Sequence, residues 1–237
     1  MLYRFAIVPT CPLGLSALRL TRALAAAAAL FSAAGCASVT HMGEKPKPAP
    51  AVKRNFVGDK RLPQYLLRVV LLPVWGGNAA PDESAAALDN VFATELVRQK
   101  RFEVVTLSRE ECRRRFGETS LSSASALPAG FLDEIAHDFG AQGVIFVDLT
   151  TYHPLRPIAL GIRSKLALVT GGRLSWSFDD VFSAEDASVA AGLKKFYGAA
   201  GGDRGESPAN LPEAALIGPS RFGAYCASAA FETLPPR

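Results

Sequence analysis

Between positions 139 and 143 the hydrophobic pattern of this chain changes period, and that change limits the folds open to it. Before it, continuous apolar runs alternate with segments whose apolar residues recur three or four apart. After it, apolar residues recur at every second position. The stretch "LLRVVLLPVW", apolar over 66 to 74 but for Arg68 and bounded by Pro63 and by Gly76-Gly77, reads as a buried strand. Pro81-Asp82-Glu83 then opens a helix with Leu88, Val91, Phe92 and Leu96 on one stripe. A second strand follows at 102 to 107. Ser108 and Glu111 have the capping-box spacing of a short helix, which Gly117 closes. Residues 120 to 125 form a polar loop. A helix over 129 to 139 presents Leu132, Ile135, Ala136 and Phe139 and stops at Gly140.

Past the change of period, "GVIFVDLTTY" (143 to 152) is a strand, and a proline-marked loop at 154 to 157 leads to "LGIRSKLALVT". There Ile162, Ser164, Leu166 and Leu168 alternate with Arg163, Lys165, Ala167 and Val169. Gly171-Gly172 signals a tight turn, and "RLSWSFDDVF" returns with Leu174, Trp176 and Phe178 on one face. The order βαβααβββ predicts an α/β domain of mixed α+β character: an open mixed sheet with helices packed on it, ending in an antiparallel meander. Residues 185 to 198 are compatible with a helix, and residues 198 to 219 are rich in glycine and proline. Pro219 starts a last helix with Phe222, Cys226 and Ala229 on one face, stopped by Pro235-Pro236 and expected to dock on the domain. One domain over 63 to 237 is expected, with a core at 67 to 182 and a helical extension at 183 to 237.

The first 35 residues contain no Asp or Glu. Arg19 and Arg22 precede an apolar stretch that is too short to cross a bilayer and ends in small residues. That is the order of a secretory signal peptide. Ala33-Ala34-Gly35-Cys36 resembles the bacterial lipobox, in which small side chains fit a narrow peptidase pocket and the cysteine thiol takes a diacylglyceryl group. The resemblance implies cleavage before Cys36, acylation of its sulfur and its new amino group with chains such as palmitate, and anchoring in a bilayer. Ala33 stands where leucine is usual. Ala37 rather than Asp after the cysteine implies the periplasmic face of the outer membrane. Cleavage by ordinary signal peptidase and retention as an uncleaved anchor are the alternative readings.

The pI near 9.0 belongs largely to this leader. Arg4, Arg19 and Arg22 account for three of the 26 basic residues, so the rest carries 23 against 22 acidic residues, a net charge of +1. A nearly neutral chain makes no electrostatic case for nucleic acid. Residues 36 to 62, with Pro46, Pro48 and Pro50 and six basic residues from Lys45 to Arg61, read as a lipidated cysteine followed by a stiff tether. Of the four cysteines, Cys11 leaves with the leader and Cys36 takes lipid. Cys112 and Cys226 remain in an oxidising compartment, either paired or as buried free thiols.

The strand "VVLLPV", the helix after it, the strand "FEVV", the segment "GAQGVIFVDLTTY" and a hairpin ending in Gly172-Arg173-Leu174-Ser175-Trp176-Ser177 have a recognisable order. Over about residues 67 to 182 they resemble the periplasmic α/β domain of curli-secretion (CsgG-like) lipoproteins, lipoprotein activators of penicillin-binding proteins, and the N-terminal domain of the Tol-Pal propeller protein. Gly171 stands where that family often has threonine. The resemblance implies non-catalytic work in the envelope: binding a periplasmic protein or self-association. A curli-type secretion pore is a further member of the group. However, Arg163, Lys165, Asp179 and Asp180 interrupt the outward face that a lipid-facing barrel needs.

An enzyme is the competing class, as a lipoprotein hydrolase or a metal-dependent envelope enzyme. The chain has no Gly-x-Ser-x-Gly, no phosphate-binding glycine loop, no His-Glu-x-x-His and no Cys-x-x-Cys, and no cofactor is implied. His137 and Asp133, four apart on a helix, are metal-ligand candidates, against the reading of a solvated face. Arg113, Arg114 and Arg115 are candidates for an anionic partner or simply a charged exposed side. Trp176 is either an exposed binding anchor or a core residue; its alternation with Leu174 and Phe178 favours the core.

Overall fold

A computed structural model describes residues 55–198 and 218–237. The strands are β1 (Asn55–Val57), β2 (Arg68–Leu71), β3 (Glu103–Thr106), β4 (Gly143–His153), β5 (Ala159–Leu168) and β6 (Leu174–Ser183). The helices are α1 (Asp82–Arg98), α2 (Arg109–Phe116), α3 (Phe131–Phe139), α4 (Ala187–Gly198) and α5 (Pro219–Phe231). The strands form one open mixed sheet in the order β1-β6-β5-β4-β2-β3. β2 lies parallel to both β3 and β4, whereas β4, β5, β6 and β1 are antiparallel neighbours. This is the mixed α/β sheet with packed helices that the period change predicts.

Local chemistry sets the element ends. Ser108 caps α2, its Oγ accepting the Glu111 N–H at 3.1 Å. Between β5 and β6 a tight turn places Gly171 and Gly172 at φ of 79° and 61°, backbone that a side chain would strain.

Two apolar layers sandwich the sheet. On one face Val69, Leu71, Ile145, Val147, Ile162, Leu166, Trp176 and Phe178 pack against α1, α4 and α5. On the other, Val70, Leu72, Val144 and Phe146 pack under α2 and α3 with Cys112, Phe131 and Ile135. α5 docks as expected: Phe231 meets Phe92 of α1 edge-on at 6.1 Å and Trp176 at 6.3 Å. Tyr197 of α4 donates to the Arg221 carbonyl at 2.7 Å, tying α4 to α5. Cys112 and Cys226 are free, buried, and in different apolar layers. Burial pushes the Cys112 thiol up to about 11, and it raises Cys226 as well, so neither is a reactive thiolate at neutral pH.

The expected tether needs one correction. Asn55–Val57, assigned to it on sequence, form β1, paired antiparallel with Trp176 to Phe178 of β6. Leu62 is buried and its N–H donates to the Pro236 carbonyl at 2.9 Å. The cause is a pairing partner some 120 positions away, which a local pattern does not show.

Candidate functional site

Ala33, Ala34, Gly35 and Cys36 lie outside the described residues. The other candidates can be followed from their elements. α3 places His137 in solvent, and its Nδ1 lies 2.6 Å from Asp138 Oδ1 rather than sharing a site with Asp133. The His137 hydrogen bond, followed by that of Arg115, holds the Asp138 carboxyl below the usual carboxylate range. Among the described residues no group of three His, Cys, Asp or Glu side chains is placed to hold a metal.

The three arginines of α2 diverge. Arg115 donates to Glu111 at 3.0 Å, to Glu134 at 3.1 Å and to Asp138, with its guanidinium 5.0 Å from the Phe139 ring centre. Asp138 foremost, with Glu134 and Glu111, raises the guanidinium above its ordinary value. Arg115 therefore clips α2 to α3. Arg114 reaches Glu111 at 3.8 Å, and Arg113 is exposed. Trp176 is fully buried against Phe231, and its indole N–H donates to Thr233 Oγ1 at 3.0 Å. It is a core residue, and the alternation of β6 already indicated this.

Two polar arrangements escaped the sequence reading. At the carboxyl ends of β2 and β3 a cleft of about 370 Å³ is lined by Pro73, Asp89, Asn90, Thr106, Ser108 and Arg109. Arg109 grips Asp89 through Nε at 2.7 Å and Nη2 at 3.1 Å, and Nη2 also donates to the Val74 carbonyl. Asp89 in turn accepts the Val74 N–H at 2.8 Å. Charge in the cleft is thus internally neutralised, and the pair fastens α1, α2 and the chain after β2 together. No local signal links residues twenty positions apart.

The second arrangement centres on Asp148, a buried carboxylate in β4. It accepts the Ser122 hydroxyl at 3.0 Å, the Ser123 N–H at 3.0 Å and the Ser123 hydroxyl at 2.9 Å. Lys165 donates to the Ser123 carbonyl at 2.8 Å. A buried charge persists only when hydrogen-bonded, and here its partners come from the polar loop, which it pins to the sheet. A lone Asp in the apolar run "GVIFVDL" was the available signal.

Apart from Leu127 and Leu155, the exposed large apolar residues among those described fall into two groups. Phe56 and Val57 of β1 and Val181 of β6 stand at one margin of the sheet. Phe56 faces Ser177, so it shares a sheet face with Ser177, Asp179 and Val181. Tyr65, Leu67 and Val97 are exposed at the end where β2 and β3 begin. Among the described residues no helix is long and apolar enough to cross a membrane.

No family model matches the chain, and a comparison with curated proteins finds no match. Among solved structures, the PelC dodecamer from Paraburkholderia phytofirmans is 13% identical at a TM-score of 0.47, covering 78% of this chain and 99% of that one. Lipoprotein GNA1162 from Neisseria meningitidis is 14% identical at a TM-score of 0.37, covering 49% and 79%. The LpoB C-terminal domain from Salmonella enterica is 17% identical at a TM-score of 0.33, covering 49% and 82%.

Proposed function

We propose that this chain is a lipid-anchored envelope protein of the outer membrane whose α/β domain acts by binding another periplasmic protein or a second copy of itself, without catalysis. The observation that carries the reading is the apolar sheet margin. Phe56, Val57 and Val181 are exposed on β1 and β6, beyond which no further strand pairs among the described residues. An edge with free backbone groups and apolar side chains is a template for a strand from another chain. The lipobox-like Ala33-Ala34-Gly35-Cys36 supports the anchor, with residues 1 to 35 as signal peptide and Cys36 acylated. Residues 37 to 54, drawn out at about 3.1 Å each, span roughly 55 Å, enough for the domain to stand off the bilayer. The resemblance to the curli-secretion, penicillin-binding-protein-activator and Tol-Pal propeller domains belongs to the same reading.

Labelling cells with a tagged palmitate tests the anchor: the parent chain takes label and Cys36→Ser does not. Equal labelling of the two ends the lipoprotein reading. For the binding role, a photo-crosslinking residue at Phe56 is compared in intact cells with one at Lys194. The expected result is a defined adduct at Phe56, identified by mass spectrometry. Monomer alone at both positions overturns the binding role.

A further inference from the structure

We propose that the end of the domain where β2 and β3 begin rests directly on a bilayer surface rich in anionic headgroups. Three separate stretches meet there. Residues 58 to 67 lead into β2, residues 99 to 102 join α1 to β3, and the chain terminus closes between them as Arg237 donates to the carbonyls of Leu66 and Arg101. This assembly gathers Lys60, Arg61, Lys100, Arg101 and Arg237 at one end of the molecule. The nearby acids Asp59 and Glu103 are already bonded to Arg173 at 2.8 Å and Arg68 at 2.9 Å. Among the described residues no carboxylate is bonded to Lys60, Arg61 or Lys100. The exposed Glu232 offsets only part of this charge.

Within the same end Tyr65, Leu67 and Val97 are each more than half exposed. Cations around a few apolar side chains suit the headgroup boundary: the apolar groups enter the interface while lysine and arginine meet lipid phosphates. The other end of the strands has the opposite character, with Asp82, Glu83, Glu185 and Asp186 exposed beside Arg156. An anionic surface therefore attracts one end and repels the other.

The anchor proposed above brings the bilayer near, and the inference rests on it for that proximity. The chain from Cys36 to Asn55 is long enough to let either end face the membrane, so the charge distribution chooses between them. Lipid is favoured over a protein partner at this end because the cations come from three separate stretches of chain around a few exposed apolar side chains, the pattern of a headgroup boundary.

The test uses the full chain reconstituted into vesicles with brominated acyl chains, zwitterionic or containing phosphatidylglycerol. Tyr65→Trp and Leu155→Trp place an indole at either end; Leu155 is 80% exposed at the far end of the strands. In anionic vesicles the indole at 65 is quenched beyond the parent chain and the one at 155 is not. Added salt, or Lys60→Glu with Arg61→Glu, lowers the quenching at 65 to the level seen at 155. Equal quenching at both positions, quenching at 155 alone, or none at 65 overturns the proposal. The anchor is read separately, from flotation with zwitterionic vesicles, which Cys36→Ser loses.

Discussion

Strands β4 and β5 are neighbours of nearly equal length, yet they bury their side chains differently. The first seven residues of β4, Gly143 to Leu149, are all buried, odd and even positions alike. Along β5 the buried positions Ile162, Ser164, Leu166 and Leu168 alternate with the partly exposed Arg163, Lys165 and Ala167. The cause is the route of the chain. The connection from β3 to β4 must cross the sheet, and it lays α2 and α3 over β2 and β4. Hairpins join β4, β5 and β6, and they need no crossing segment. Among the described residues β5 and β6 therefore carry helices mainly on one face, with only Ala167 and Val169 at the end of β5 reaching the layer under α2 and α3. Covered on both sides, a strand loses all latitude in side-chain type; covered on one, it keeps a free face for ions, hydroxyls and an apolar margin.

The sharpest way to break this contrast is to truncate adjacent residues on two strands. Phe146→Ala should cost about 3–5 kcal/mol and Ile145→Ala about 2–5 kcal/mol, because each empties a different closed layer. On β6, Phe178→Ala should cost about 3–5 kcal/mol, while its neighbour Ser177→Ala should stay within about 0.5 kcal/mol. Urea denaturation of the four variants measures this. Equal losses at 177 and 178 would show that β6 is covered on both faces after all.

A smaller effect is expected where the halves meet. Asp148→Ala strips the hydroxyls of Ser122 and Ser123 and the Ser123 N–H of their acceptor. It should cost about 2–3 kcal/mol. Hydrogen exchange should then quicken at residues 120 to 125 before the rest of the domain. Uniform quickening would mean that Asp148 serves the whole sheet rather than the loop.

The smallest effect belongs to the open side. The Asp186 carboxyl is held below the usual carboxylate range, first by the backbone N–H of Ser188. Its contribution is fully present above the unfolded value of about 3.9 and disappears as pH falls through the lower folded value. Parent and Asp186→Asn should therefore differ at neutral pH and converge in acid. A difference that widens on acidification would contradict the assignment.

Much of this architecture was legible in the sequence. The period change placed the meander, Ser108 with Glu111 marked the start of α2, and Gly171-Gly172 marked the turn before β6. The core position of Trp176 followed from its alternation with Phe178. β1 was not legible, because three residues carry no period and its partner Trp176 lies far along the chain. His137 and Asp133 had metal-ligand spacing, but a helix fixes only which residues share a face. The nearer Asp138 took the imidazole.

By itself the sequence determined what depends on neighbours a few positions apart: the helices and the strands other than β1, with their caps and turns. The tertiary structure decided what depends on strand order. It left the β5 and β6 faces open beside a closed β4, and it joined Arg109 to Asp89. It also brought cations from position 60 to position 237 to a single end of the sheet. Local patterns repeat every two or three to four residues, whereas these meetings follow from a β1-β6-β5-β4-β2-β3 path that no short spacing encodes.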